Sequence, residues 1–273
     1  MRSNGIRLYT FFVIFCISGA LIIRFASVLR GSETLNAVFG VLVLLGIGIN
    51  TYQGLMTDGA ELGEIGRLYG TNFRLDFFAQ IAAAGFFIHF ISQAVLLFKG
   101  VTGRRTEAHF VVAIAVSAVL SLMCCVYFTV VRMTYSKRNY DFRELYFFHL
   151  VPLFWSLSEV FSVIADSGEF DRDTDSLLKY ATLIFMTLFF FCFARDMDRG
   201  EEIKRTTLLF ARLFSYLSML YFFDRLMLLL FGKVSLSDND NFLALAGIMI
   251  CGFVFFFEKD AYNKKSISNS SEH

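Results

Sequence analysis

Arginine, carboxylate and histidine side chains stand inside long apolar runs of this 273-residue chain: Arg24, Glu159, Asp224 and Arg225 first, with His89, Gln93, His149 and Arg212 as a second set. Where such a run crosses a bilayer, a charge near its centre costs about 2.5–3.5 kcal/mol on insertion scales. Each must then face another helix or a water-filled cavity. A carboxylate and a guanidinium at one depth can pair, because an opposite charge nearby favours the ionised form. An imidazole at mid-depth can pass a proton, since its reference pKa lies near neutrality. The residue types thus allow two roles, a polar site for a solute or proton and a set of staples between helices.

Motifs do not choose between them. The chain has no G-x-x-x-x-G-K-[ST], G-x-G-x-x-G or H-E-x-x-H, the patterns that would cradle phosphate or hold zinc. His149-Leu150-Val151-Pro152 and His109-Phe110-Val111-Val112 lack the carboxylate of an acyltransferase-like motif. Cys16, Cys124, Cys125, Cys192 and Cys251 lie in apolar runs without a C-x-x-C spacing, so no disulfide framework, metal centre or cofactor is expected. A net charge of +1 offers no basic face for nucleic acid. The reading is non-enzymatic: a transporter-like protein or a membrane accessory or sensory protein, its partner a small solute or another membrane protein. The alternative, an intramembrane enzyme without a recognisable motif, would need catalytic groups converging at one depth.

The elements that position these groups are apolar helices. Hydrophobic residues make up 56% of the chain and charged ones 18%, against about 45–50% and about 25% in soluble domains. About 20 apolar residues cross about 30 Å of hydrocarbon, and eight runs approach that length: 8–29, 35–55, 77–98, 108–131, 146–164, 177–194, 207–231 and 241–257. Backbone groups in lipid must be satisfied within each segment, which makes the runs helices. The expected fold is an all-α polytopic transmembrane bundle over 1–258, with a disordered polar tail over 259–273. The sixth and eighth runs are the shortest and the fifth the most polar, so the count is seven to eight. Segment 56–76 could form a short helix at the membrane surface. Arg2 and Arg7 before an apolar stretch resemble a secretion signal, but Leu21-Ile22-Ile23 continues the run past the small residues Ser18-Gly19-Ala20. The first run therefore reads as an uncleaved span.

With the N-terminus inside, the inner loops receive most of the 25 Lys and Arg, which predicts that both termini are cytoplasmic. Arg24, Glu159 and Arg225 then lie about 8 Å below the same outer surface. Matched depth makes a Glu159–Arg225 or an Arg24–Asp224 pair feasible, and a transport role would have Arg24, Glu159 and Arg225 reach one outer cavity. Trp155, Glu159 and Ser162 share one face of the fifth run, and Ser215, Ser218, Tyr221 and Arg225 form a stripe on the seventh. Those faces predict contact between the fifth and seventh spans, with Pro152 bending the fifth. Arg24, Gln93, Glu159 and Arg225 recur at near-constant spacing on the odd-numbered runs, as four parallel helical hairpins would give.

Residues 151–199 open on Pro-x-x-Trp (Pro152, Trp155), continue as a helical hairpin and close on Phe193-Ala194-Arg195. This stretch resembles uncharacterised multispan membrane proteins of clostridial-type, Gram-positive bacteria. The resemblance covers under a quarter of the chain, and where this sequence has Glu159 those proteins often have Arg. It implies a multi-pass protein of the plasma membrane and no particular activity.

Overall fold

A computed structural model describes residues 2–56, 73–102, 108–136, 147–167, 174–199, 204–236 and 238–268, and every regular element among them is a helix. In chain order these are α1 (Arg2–Arg30), α2 (Glu33–Met56), α3 (Phe73–Thr102), α4 (Ala108–Ser136), α5 (Val151–Ser167), α6 (Thr174–Arg199), α7 (Arg205–Leu230) and α8 (Asn239–Ser268). All except α5 are long and apolar enough to cross a membrane. Large apolar side chains such as Phe15, Ile22, Leu44, Phe98 and Val119 point outward. In water such a surface would aggregate; against acyl chains it is solvated. The chain is an all-α helical bundle and a multi-pass integral membrane protein whose surroundings are a lipid bilayer.

Six helices close a ring: α3 packs on α4, α4 on α5, α5 on α6, α6 on α7, α7 on α8, and α8 returns to α3. Aromatic side chains fill its centre. Phe86 of α3 meets Trp155 of α5 edge-on at 4.7 Å, Phe128 of α4 reaches across to Phe253 of α8 at 5.1 Å, and Phe193 of α6 meets Phe257 of α8 at 5.2 Å. Contacts of this kind add about 0.5–1.5 kcal/mol beyond the area they bury. The α1–α2 hairpin sits outside the ring and docks on α7. Its close approach depends on Gly46, where an added Cβ would lie 2.0 Å from the Tyr216 hydroxyl oxygen. A glycine at a membrane helix crossing lets two backbones come together. Helices α1 and α7 each stop at a left-handed glycine, Gly31 (φ 63) and Gly232 (φ 65), the usual way a helix is ended.

Several expectations need correction. Helix α5 has 17 residues, about 25 Å of rise, and falls short of a full span; a 3₁₀ turn over 147–150 precedes it. Pro152 does not bend it. It lies in the first turn, where a missing N–H costs nothing. The principal neighbours of α5 are α4 and α6, not α7. Residues 259–268, read as a disordered tail, continue α8 as helix, because extending a formed helix through Lys259, Ala261, Lys264 and Lys265 needs no new nucleus. Residues 269–273 and residues 57–72 of the 56–76 segment lie outside the described residues.

Candidate functional site

Arg24 and Asp224 bring the hairpin and the ring together. The Arg24 Nε donates to Asp224 at 2.6 Å, its Nη1 donates to Asn36 of α2 at 2.7 Å, and the Ser27 hydroxyl also donates to Asn36. Both members of the pair are buried, and the guanidinium lies 5.6 Å from the centre of the Phe39 ring. This arrangement is a staple with each charge matched. The other feasible pair, Glu159–Arg225, does not form. Arg225 turns to the α7–α8 connection, donating to Asp238 at 2.5 Å and to Asn241 at 3.1 Å, while Lys179 of α6 holds Asp240 at 2.6 Å. Arg24, Glu159 and Arg225 therefore do not share a cavity, because each is committed to a different helix interface.

At the other end of the bundle, Asp196 of α6 accepts from the Lys204 backbone N–H at 3.0 Å and from the Thr207 hydroxyl. Asp196 thereby ties α6 to the start of α7, and Arg195 pairs with the same carboxylate at 2.9 Å. Arg132 of α4 meets Asp76 of α3 at 3.3 Å and donates to Gln80. Arg212 is buried on α7.

Glu159 is different. Among the described residues it meets no lysine or arginine: its carboxylate accepts from the Ser117 hydroxyl of α4 and lies 3.8 Å from His89 Nε2 of α3. His89 is 0% exposed and Glu159 2%, so both are buried. His89 Nδ1 is 2.9 Å from the Ser121 hydroxyl, and the Gln93 amide is 3.2 Å from Nε2. With the imidazole neutral, Nδ1–H donates to Ser121 and Nε2 accepts from Gln93. Gln93 also donates to Asn239 at the start of α8 (3.3 Å), and Ser92 does the same at 2.9 Å. Trp155, the single tryptophan, stands perpendicular to the His89 ring at 5.5 Å.

His149, in the 3₁₀ turn before α5, bonds Tyr127 of α4 through Nδ1 at 2.9 Å, and both residues are buried. Ser117, Ser121, Cys124 and Tyr127 follow one another along a single face of α4, every three or four residues, as neighbours on a helix surface do. All four are buried. Sequence reasoning passed over this stripe, together with Asn36, Asn239 and Lys179. The stripe's helical spacing inside an apolar run was the available signal.

The arrangement offers an acid and a base 3.8 Å apart, with hydroxyl and amide partners, in a buried site. It holds neither an activated nucleophile nor, among the described residues, any three His, Cys, Asp or Glu side chains grouped as a metal ion would need. No known protein family, curated protein or solved structure matches this chain.

Proposed function

We propose that the protein is a non-enzymatic protein of the plasma membrane, transporter-like or a membrane accessory or sensory unit, that works by binding and releasing a proton at His89 and Glu159. One observation carries this reading. The pairs built on Arg24, Arg225, Lys179 and Arg195, of which only Arg24–Asp224 is buried on both sides, each match a cation to a carboxylate, whereas buried Glu159 faces an imidazole that can be neutral or charged. Ionisable groups inside a membrane are costly to keep, and an unmatched acid–base pair justifies that cost when it changes state. Added to the neutral imidazole, a proton on Nε2 points at the carboxylate and displaces the Gln93 amide. Beyond the pair itself, Cys124 of α4 lies within electrostatic reach of Glu159, α8 reaches the pair only through Asn239, which accepts from Gln93, and Phe193 of α6 stands against His149 in the turn before α5. Kinship with clostridial-type multispan proteins, cytoplasmic termini and a coupled small solute or membrane partner belong to the same reading.

Trp155 is a built-in reporter. Acidification places an imidazolium against the indole, which quenches it, so emission in nanodiscs falls as the pH is lowered. His89→Gln abolishes the transition. Emission that does not vary with pH, or varies equally in His89→Gln, contradicts the proposal.

A further inference from the structure

We infer that the charge state of His89 is passed through two amides, Gln93 and Asn239, to the start of α8, where the Lys179–Asp240 ion pair is a latch that protonation loosens. The inference rests on the proton-binding reading above and says how the rest of the molecule feels the proton. Every link is a hydrogen bond, an ion pair or a peptide bond. The Gln93 side chain of α3 has one NH2 group and uses both of its hydrogens, one towards His89 Nε2 at 3.2 Å and the other towards Asn239 Oδ1 at 3.3 Å. Asn239 opens α8 and also accepts from the Ser92 hydroxyl at 2.9 Å. Its neighbour Asp240 is held by Lys179 of α6 at 2.6 Å, and the Tyr221 hydroxyl of α7 donates to the Asp240 carbonyl at 3.4 Å. Asp238, just before α8, accepts from the Asp240 backbone N–H at 3.2 Å and pairs with Arg225 of α7. Helices α3, α6 and α7 thus all fasten the first turn of α8.

A proton reverses the first link. Neutral Nε2 accepts, whereas both nitrogens of an imidazolium donate. The Gln93 amide must then turn its oxygen towards the ring, which takes its N–H away from Asn239 and leaves Ser92 as the α3 donor there. The groups facing His89 are the Glu159 carboxylate of α5, the Ser121 hydroxyl of α4 and Gln93 of its own helix. Cys124 of α4 lies within electrostatic reach of Glu159, and α8 presents the Asn239 amide behind Gln93.

With one hold fewer, the first turn of α8 depends more on Lys179. That lysine also lines a narrow cavity, together with Thr182 and Met186 of α6, Tyr221 of α7, and Leu243 and Gly247 of α8. Loosening the turn opens the cavity at its Lys179 end, so the latch is a gate that the buried pair controls.

Linkage between two sites is reciprocal, which gives the test: if protonation loosens the latch, removing the latch eases protonation. Lys179→Gln combined with Asp240→Asn removes it without changing the net charge. In nanodiscs, the midpoint of the Trp155 emission change moves to higher pH in this variant, with proton affinity raised about fivefold, the shift that one hydrogen bond supports. In a Gln93→Leu background the same two changes leave the midpoint where Gln93→Leu alone puts it, and Asn239→Ala severs the link equally. A merely structural latch would alter stability in every background and the midpoint in none. Labelling of buried Thr182→Cys by a polar thiol reagent, relative to exposed Leu177→Cys at the same pH, rises as the pH is lowered, and does not rise in the Gln93→Leu background. An unmoved midpoint in the latch variant, a shift that survives Gln93→Leu, or a labelling ratio indifferent to pH overturns the inference. A wild type whose Trp155 emission ignores pH sinks the proton-binding reading itself, so the two failures are told apart.

Discussion

Arg24 and Asp224 illustrate what a buried ion pair does in this protein. Arg24 of α1 is held by Asp224 of α7 and Asn36 of α2, and losing either member of the buried pair removes the opposite charge nearest the other. Breaking such a pair costs about 3–5 kcal/mol, whereas replacing both members by apolar groups is often close to neutral. Arg24→Leu and Asp224→Leu should each lower the melting temperature in detergent, and the double variant should regain most of the loss. Strictly additive damage would mean that the two do not interact. This pair could be anticipated from the sequence, because counting residues from the ends of two parallel apolar runs places both at one depth. The same counting failed for Glu159. The helix runs on through Ala165, Asp166 and Ser167, past the end of the apolar run, and sets Glu159 at the middle of α5. His89 lies near the middle of α3. Both are central, and the true partner of Glu159 was an imidazole already noticed for other reasons.

Helix α7 is the element on which most of the fold depends. It touches α6, α8, α1 and α2 and keeps a largely buried surface. The hairpin reaches it through Gly46 against Tyr216, with the Tyr216 hydroxyl donating to the Leu42 carbonyl at 3.4 Å. Gly46→Leu should therefore destabilise by about 1–3 kcal/mol, the usual cost of overpacking, and Tyr216→Ala should restore part of that stability by vacating the space. If Gly46→Leu melts like the wild type, the hairpin is docked elsewhere. Which helices pair was harder to read than which segments are helical. The polar faces of α5 and α7 suggested that they meet each other, yet the α5 face found Ser117 and His89. Serine, cysteine and tyrosine barely depress the hydropathy of a span, so the α4 stripe left little mark on the apolar pattern. Ring closure of α8 on α3 depends on shape, as in the contact of Gly252 with Phe78, between residues far apart in the chain.

On the scale of the whole molecule, the bilayer was evident from run length alone, and the helical class followed from it. What run length could not convey is that the six-helix ring is sealed by aromatic rings and that its polar interior lies between α3, α4 and α5. The seal matters to function. A proton held at His89 and Glu159 is shielded from bulk water, and its binding can be felt by every helix that touches the pair. The claim at the centre of this account is that His89 takes up and gives up a proton beside the Glu159 carboxylate inside the folded protein. Infrared difference spectroscopy on nanodisc-embedded protein reads that event at the carboxylate the imidazole faces. Acidification should produce a shifted Glu159 carboxylate band that is absent from Glu159→Gln and from His89→Gln. A spectrum without such a band, or one identical in Glu159→Gln, would contradict the account.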